Sequence, residues 1–241
     1  RGDYALEIID FKPFNVFPAE EGSSKEFHNY GPSVVFKLRA ANGEAREYVN
    51  YQVPLMVENR PFLLSGMRTT PAEEYRFIHI PLDADGGIKR FMRFLAMARD
   101  SELIVSVAEQ QAASELGMKP EDPQYQDFVT SMVELEKLFI EQGIDAIVEL
   151  AERNVPEEKR NEAISSYIKV VQGVLGTLYV ELLREEGVDV SVGISEQQAL
   201  YFDDSLNAFS LIGPYGSPLL LRLQEYKHVE ATGLQIARAP G

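Results

Sequence analysis

PEEKRNEAISSYIKVVQGVLGTLYVELLREEG, residues 156–187, is the longest uninterrupted structural signal in the chain, and its reading sets the architecture around it. Pro156 stands where proline is tolerated, in a first helical turn, and Glu157 and Glu158 place negative charge at the positive end of the helix dipole. Ile164, Tyr167, Ile168, Val171, Val174, Leu175, Leu178, Leu182 and Leu183 recur at spacings of three and four, which is one apolar face of an α-helix. Gly187 supplies the stop. Gly173 and Gly176 each cost about 1 kcal/mol against alanine. They are expected where the helix packs closely on a neighbour; a hinge is the other reading.

Before this helix the chain is helical back to residue 87. Gly87–Arg99 carries Ile88, Phe91, Met92 and Leu95 at helical spacing, and Glu102–Leu116 resumes after a break near Asp100. Pro120–Pro123 is a linker and cap. Pro123–Gln142 presents Phe128, Met132, Leu135, Leu138 and Phe139, and Ile144–Arg153 is short and amphipathic. After the long helix, Ser195 caps a helix over Glu196–Leu211, and Gly213–Pro218 is a turn.

The first 82 residues read as strands and turns. Tyr4–Ile9, Phe11–Phe17, Ser33–Ala40, Arg46–Gln52, Pro61–Gly66 and Glu74–Pro81 are the strand candidates. Glu20–Asn29 is a polar loop, and Asn42-Gly43 is a hairpin turn. Leu219–Gln224 is β-prone and Val229–Ala237 reads as a last strand. The expected fold is therefore α+β: an antiparallel β unit built from N- and C-terminal strands with a central helical insertion. As one composite domain it divides into a β-rich part (1–82), a mainly helical part (83–212) and C-terminal strands that return to the β unit (213–241).

Composition narrows the chemistry. The 241 residues carry a net charge of −15, which argues against nucleic acid, whose phosphates need basic patches. It suits a soluble domain able to attract a basic partner. There is no cysteine, hence no disulfide, thiolate catalysis or cysteine-ligated metal. No run reaches the ~18 apolar residues of a membrane span, and no signal peptide is recognisable. Because the chain starts Arg1-Gly2-Asp3 and ends Ala239-Pro240-Gly241, it is expected to be cut or processed from something longer.

No dinucleotide fingerprint, Walker loop, zinc-protease helix or nucleophile elbow is present. No catalytic and no metal-ligating residue is assigned. Asp83, Asp85, Gly86 and Gly87 faintly resemble a calcium loop, but the spaced glutamate is missing and a turn is expected. Asp203 and Asp204 diverge on a helix and are placed on a solvated face, as are Glu134 and Glu136. His79 lies in an alternating run, with Tyr75 and Phe77 on its face and Ile78 and Ile80 on the other. It is the one cofactor-binding candidate, as a haem ligand; the plainer reading is a hydrogen-bonded strand histidine. His28 falls in the polar loop and His228 near a strand start, and neither has ligand spacing.

Short motifs carry the reading further. Tyr48-Val49-Asn50-Tyr51-Gln52-Val53-Pro54-Leu55, followed by Pro61-Phe62-Leu63-Leu64-Ser65-Gly66, resembles the Asn-x-Pro-Leu region and following strand of the ResB family. Ile9-Asp10-Phe11, Tyr30-Gly31-Pro32-Ser33-Val34-Val35-Phe36-Lys37-Leu38, Tyr215-Gly216-Ser217-Pro218 and Gly233–Gly241 are similar to the same proteins, above all their proteobacterial branch. The resemblance covers essentially the whole chain. It implies the large extracytoplasmic domain of a System II cytochrome c biogenesis protein. That domain would sit on the periplasmic side of a bacterial cytoplasmic membrane, tethered by transmembrane helices outside this sequence.

The resemblance further implies a CcsA/ResC-type membrane subunit and apocytochrome c as partners, with thiol-reducing biogenesis proteins as further ones. Haem would be handled by the full complex, a holocytochrome c synthetase, with no cofactor and no enzymatic activity in this domain. The family's haem-handling histidines belong to the membrane part and the partner, so none is carried onto His28, His79 or His228. Two functions stay open: a docking and assembly module for haem delivery, or a domain that binds haem or another small molecule between sheet and helices. An independent hydrolase is disfavoured by the missing nucleophile–base motifs.

Overall fold

The computed structural model describes residues 4–19, 26–114, 117–215 and 220–224. Among the described residues, eight strands precede six α-helices. The strands are β1 (Tyr4–Lys12), β2 (Val16–Pro18), β3 (Phe27–Asn29), β4 (Ser33–Ala40), β5 (Ala45–Tyr51), β6 (Leu55–Val57), β7 (Arg60–Arg68) and β8 (Arg76–Pro81). The helices are α1 (Lys89–Met97), α2 (Ser101–Ser114), α3 (Tyr125–Gln142), α4 (Ile144–Asn154), α5 (Arg160–Glu185) and α6 (Glu196–Tyr215). The fold is α+β. The expected last strand Val229–Ala237, His228 and the Leu116 helix end lie outside the described residues.

β1, β4, β5 and β7 pair in that order, all antiparallel, and β8 takes the other edge of β7. The β4–β5 turn forms as Asn42-Gly43 predicts. Gly43 has φ +88°, and the Asn42 side chain accepts a hydrogen bond from Glu44 N–H at 3.1 Å. Val53-Pro54 interrupts β5, and the chain then re-pairs as β6 with the start of β7. Within the expected polar loop, Phe27–Asn29 is instead a strand, paired with β2. Asn15 holds this small hairpin to the sheet. Its amide donates to Gly31 O (2.7 Å) and Ser33 Oγ (3.1 Å).

The inner face of the sheet carries Phe36, Leu38, Tyr48, Leu63, Met67, Ile78 and Ile80, all buried in one core with the helices. Tyr48 stacks on Phe36 with ring centroids 5.2 Å apart. The outer face holds a charged network. Glu47 accepts hydrogen bonds from Arg68 and from Tyr75 Oη (2.6 Å). Burial alone would raise the Glu47 pKa, but these bonds and the charges of Arg68 and Lys37 outweigh it and hold the carboxyl below its usual range.

α5 begins after a 3₁₀ turn at Glu157–Lys159 that follows Pro156. Its buried face is Val171, Val174, Leu175, Leu178, Tyr179, Leu182 and Leu183. By length and composition it could cross a membrane, but this face lies in the protein core. Gly187, at φ +78°, ends it in a Schellman motif, with Val188 N–H donating to Leu183 O (2.9 Å) and Gly187 N–H to Arg184 O (2.9 Å). Gly173 and Gly176 face Gln111 and Phe202, but a Cβ there would sit at ordinary distances, 3.5 Å and 3.8 Å. The packing is real, yet it does not demand glycine.

In α1 the face differs from the expected one. Phe94 is buried, whereas Met92 is exposed. Phe94 is the hub of an aromatic cluster, with Tyr179 at 5.3 Å, Phe209 at 5.0 Å and Phe202 at 6.1 Å. α6 opens in a capping box. Ser195 Oγ accepts from Gln198 N–H (3.3 Å), and Gln198 Oε1 accepts from Ser195 N–H (2.7 Å). The helix runs past Leu211 to Tyr215, so the turn expected from Gly213 starts later. Glycine at 213 lets α6 lie directly on the end of α3, where a Cβ would collide with the backbone carbonyl of Glu141.

Two acidic residues are not where a solvated face would put them. Glu136 is fully buried, because it shares the phase of Met132, Phe139 and Ile140 on α3. Asp204 is buried and bound by Arg60, whose Nη1 donates to both carboxylate oxygens at 2.7 and 2.6 Å. Glu134 and Asp203 are exposed as expected. The residue 83–87 segment is a turn: Asp83 accepts from Arg90 N–H (3.2 Å) and from Tyr201 Oη (2.9 Å), which ties it to α1 and α6.

Candidate functional site

The densest motif, residues 48–55, folds as β5 and the bend after it. Tyr48, Asn50 and Gln52 alternate onto the inner face. Tyr48 binds the last residue of α6, and Asn50 and Gln52 bind the chain that follows it. Tyr48 Oη donates to Tyr215 O at 3.0 Å. Asn50, only 1% exposed, donates from Nδ2 to Ser65 Oγ at 2.8 Å and accepts at Oδ1 from Leu221 N–H at 2.9 Å. Gln52 donates to Leu221 O (3.0 Å) and to Asn50 O (3.0 Å), and accepts from Leu223 N–H (2.9 Å).

Residues 220–224 are therefore attached to the sheet without being a strand. Two side-chain amides offer the segment the donors and acceptors that a neighbouring strand would offer. The sequence suggests that Asn50 bonds the backbone of the turn after it; its partners are Ser65 and the distant Leu221 instead.

Beside this clamp, Val53-Pro54 bends the chain against β3. Gly31, at φ +79°, accommodates it: a Cβ would come within 2.8 Å of Val53 Cγ2. The bend encloses a cavity of about 260 Å³ whose lining includes His28, Tyr30, Tyr51, Leu55, Met56 and Leu64. His28 lies edge-on to Tyr30, with ring centroids 4.5 Å apart. Val53 and Met56 line the cavity and are 47% and 57% exposed. On the adjoining hairpin Phe17 shares the face of His28 while Val16 and Phe27 lie on the other face, all three about half exposed. Patches of this kind on soluble domains mark interaction sites.

His79 is elsewhere. It stands on the outer face of β8 opposite Leu64, edge-on to Phe62 at 6.0 Å, and partial burial lowers its pKa. The structure brings His28, not His79, to an aromatic-lined cavity. Sequence reasoning misses His28 because the strand that carries it is short and follows a polar stretch. Among the described residues no cluster of His, Cys, Asp or Glu is arranged to hold a metal.

A family model matches residues 5–241, and it describes the ResB-like family. No curated protein and no solved structure matches the chain. The matched span takes in the clamp, the cavity and the uncovered surface alike. The chain belongs to the ResB-like family, membrane-associated components of cytochrome c biogenesis.

Proposed function

We propose that this domain is a docking and assembly module that supports haem delivery and attachment to apocytochrome c. It would work on the extracytoplasmic side of a bacterial cytoplasmic membrane, beside a CcsA/ResC-type membrane subunit. The observation that carries this reading is the set of exposed apolar side chains on β2, β3 and the Val53–Val57 bend. A water-exposed cluster of Phe, Val and Met is unfavourable in an isolated domain, and a partner that covers it recovers the hydrophobic free energy. The clamp fits the same role, because it fixes the bend that presents Val53 and Met56. The acidic charge is compatible with the outer side, since lysine and arginine favour cytoplasmic loops.

The test is the full-length protein carrying Phe17→Ser, Phe27→Ser and Met56→Ser together. Co-purification with the membrane subunit and the yield of cytochrome c should both fall, while the melting temperature of the isolated domain holds. Normal maturation with these changes would refute the docking reading.

The cavity at His28 favours a second reading, in which the domain itself holds a small flat ligand such as haem. At 260 Å³ it is smaller than the usual ligand cavity of about 300–1,000 Å³, so a haem would be held by one edge only. A stoichiometric Soret shift at micromolar haem, lost in His28→Ala and kept in His79→Ala, would establish this alternative. No shift leaves docking alone.

A further inference from the structure

A second cavity, of about 470 Å³, opens between the α1–α2 junction, α3 and α6, well within the range of small-ligand sites. Its walls include Ile104, Val133, Ile140 and Ile212. Glu136 also lines it, is fully buried, and neither of its carboxyl oxygens has a hydrogen-bond partner in the protein. A carboxyl group offers several acceptor positions, or one donor when protonated, and leaving them unused in a dry site is expensive. A packing role at this position would be filled better by leucine or methionine.

The other charges sit at the mouth. Lys137 is exposed and lies 3.9 Å from Glu141, and Arg99 is exposed at the helix junction. α2 contributes Ser101 and Ile104 to the lining, and α6 contributes Ile212 and Gly213, none of which titrates. Burial, with Glu141 adding to it, lifts the Glu136 carboxyl to about 8. The apo site is thus a neutral acid that a buried positive charge would ionise. Arg99, Lys137 and Glu141 stand at the exposed mouth, with Lys137 facing Glu141, whereas at the buried floor the only charge-bearing group is the Glu136 carboxyl, which pairs with a cation and not with an anion.

We propose that this cavity is a binding site for an alkylammonium group, with the Glu136 carboxylate as its counter-ion and the isoleucine walls enclosing the alkyl chain. The class includes free amines and the lysine side chain of a partner peptide. Binding draws Glu136 into its charged form and displaces its proton.

The probe is hexylamine, titrated into the isolated domain by protein NMR and calorimetry, with 1-hexanol as the uncharged match. Hexylamine should shift the resonances of Ile104, Ile140 and Ile212 and release protons at pH 7. Its affinity should rise between pH 6 and pH 8 by up to about tenfold per unit, as a single linked ionisation requires. Hexanol should bind at least about tenfold more weakly at pH 9, since it lacks the ion pair. Glu136→Gln, which mimics the neutral acid and should fold, should lose about tenfold in hexylamine affinity and all of its pH dependence. Nα-acetyl-lysine methylamide distinguishes the sources: binding assigns the site to a peptide lysine, and its exclusion while hexylamine binds assigns it to a free amine. The proposal is overturned if hexylamine does not bind up to millimolar concentration, if hexanol matches it, or if Glu136→Gln binds it unchanged.

Discussion

The side-chain oxygen of Asn50 accepts a hydrogen bond from the backbone N–H of Leu221, 171 positions further along the chain, at 2.9 Å. Both ends of that amide are used, since its nitrogen donates to Ser65 Oγ. Asn50→Ala removes one partner from each of two groups, at about 1–3 kcal/mol for each one left buried and unsatisfied. We expect a clear drop in the melting temperature of the isolated domain. Asn50→Asp should also destabilise, because a carboxylate cannot donate to Ser65. An unchanged melting temperature in both variants would show that the clamp carries no stability.

The Glu136 carboxyl makes stability depend on pH in an unusual direction. Its pKa is raised from 4.5 to about 8 by burial, with a further contribution from Glu141. Between those values the unfolded chain gives up its proton while the folded chain keeps it. Folding therefore binds a proton, and this contribution to stability is lost as pH rises through the window, at up to about 1.4 kcal/mol per unit. Denaturant melts at pH 5, 6, 7 and 8 should show Glu136→Gln stabilised relative to wild type at pH 8 and nearly level with it at pH 5. Parallel curves across the range would contradict this.

Gly176 leaves room for a methyl group, since a Cβ there would lie 3.8 Å from Phe202 Cζ. Gly176→Ala should stabilise the domain by about 1 kcal/mol through helix propensity alone. Gly213→Ala should do the opposite, because its Cβ would be driven into the backbone of Glu141. Thermal melts of the two variants should move in opposite directions. Stabilisation by both would mean that α6 can draw back from the end of α3 at little cost, and destabilisation by both that Gly176 has less room than its 3.8 Å contact implies.

Asp204 and Arg60 form an ion pair linking α6 to β7. Burial raises the Asp204 pKa despite that neighbour, with Asp203 and Glu58 adding to the rise, so the pair offsets a desolvation cost. Asp204→Ala should cost about 1–3 kcal/mol, because Arg60 loses its inner carboxylate and is left with the exposed Glu58 and the Phe62 ring. Asp203→Ala, one residue away but exposed, should lie within about 0.5 kcal/mol of wild type. Equal effects at the two positions would remove the ion pair from the account.

Local signals explain which parts of this structure are legible in the sequence. Ser33–Ala40, the Asn42-Gly43 turn and the Ser195 cap announce themselves through alternation, φ > 0 chemistry and capping residues, all of which act within a few positions. Spacing alone does not select Phe94, because Ile88, Phe91, Met92 and Leu95 also satisfy a helical period; only the aromatic partners on α5 and α6 pick out the true face. Glu136 has a usable signal, since it sits four residues after Met132 and three before Phe139. Its charge argues against its phase, and the phase wins. The partners of Asn50 and the cavity at His28 have no local signal at all, because they are assembled from segments far apart in sequence.

The clamp also bears on how such a chain matures as it is synthesised. β1 to β8 can pair among themselves once the first 81 residues have emerged, for their contacts are close in sequence. The inner face of β5 cannot be completed then. Tyr48 waits for Tyr215, and Asn50 and Gln52 wait for residues 221–223. Closing loops of that span is slow compared with local pairing. A nascent chain halted between residues 81 and 221 would thus hold a paired sheet with an open polar seam, which closes only when residues 221–223 emerge.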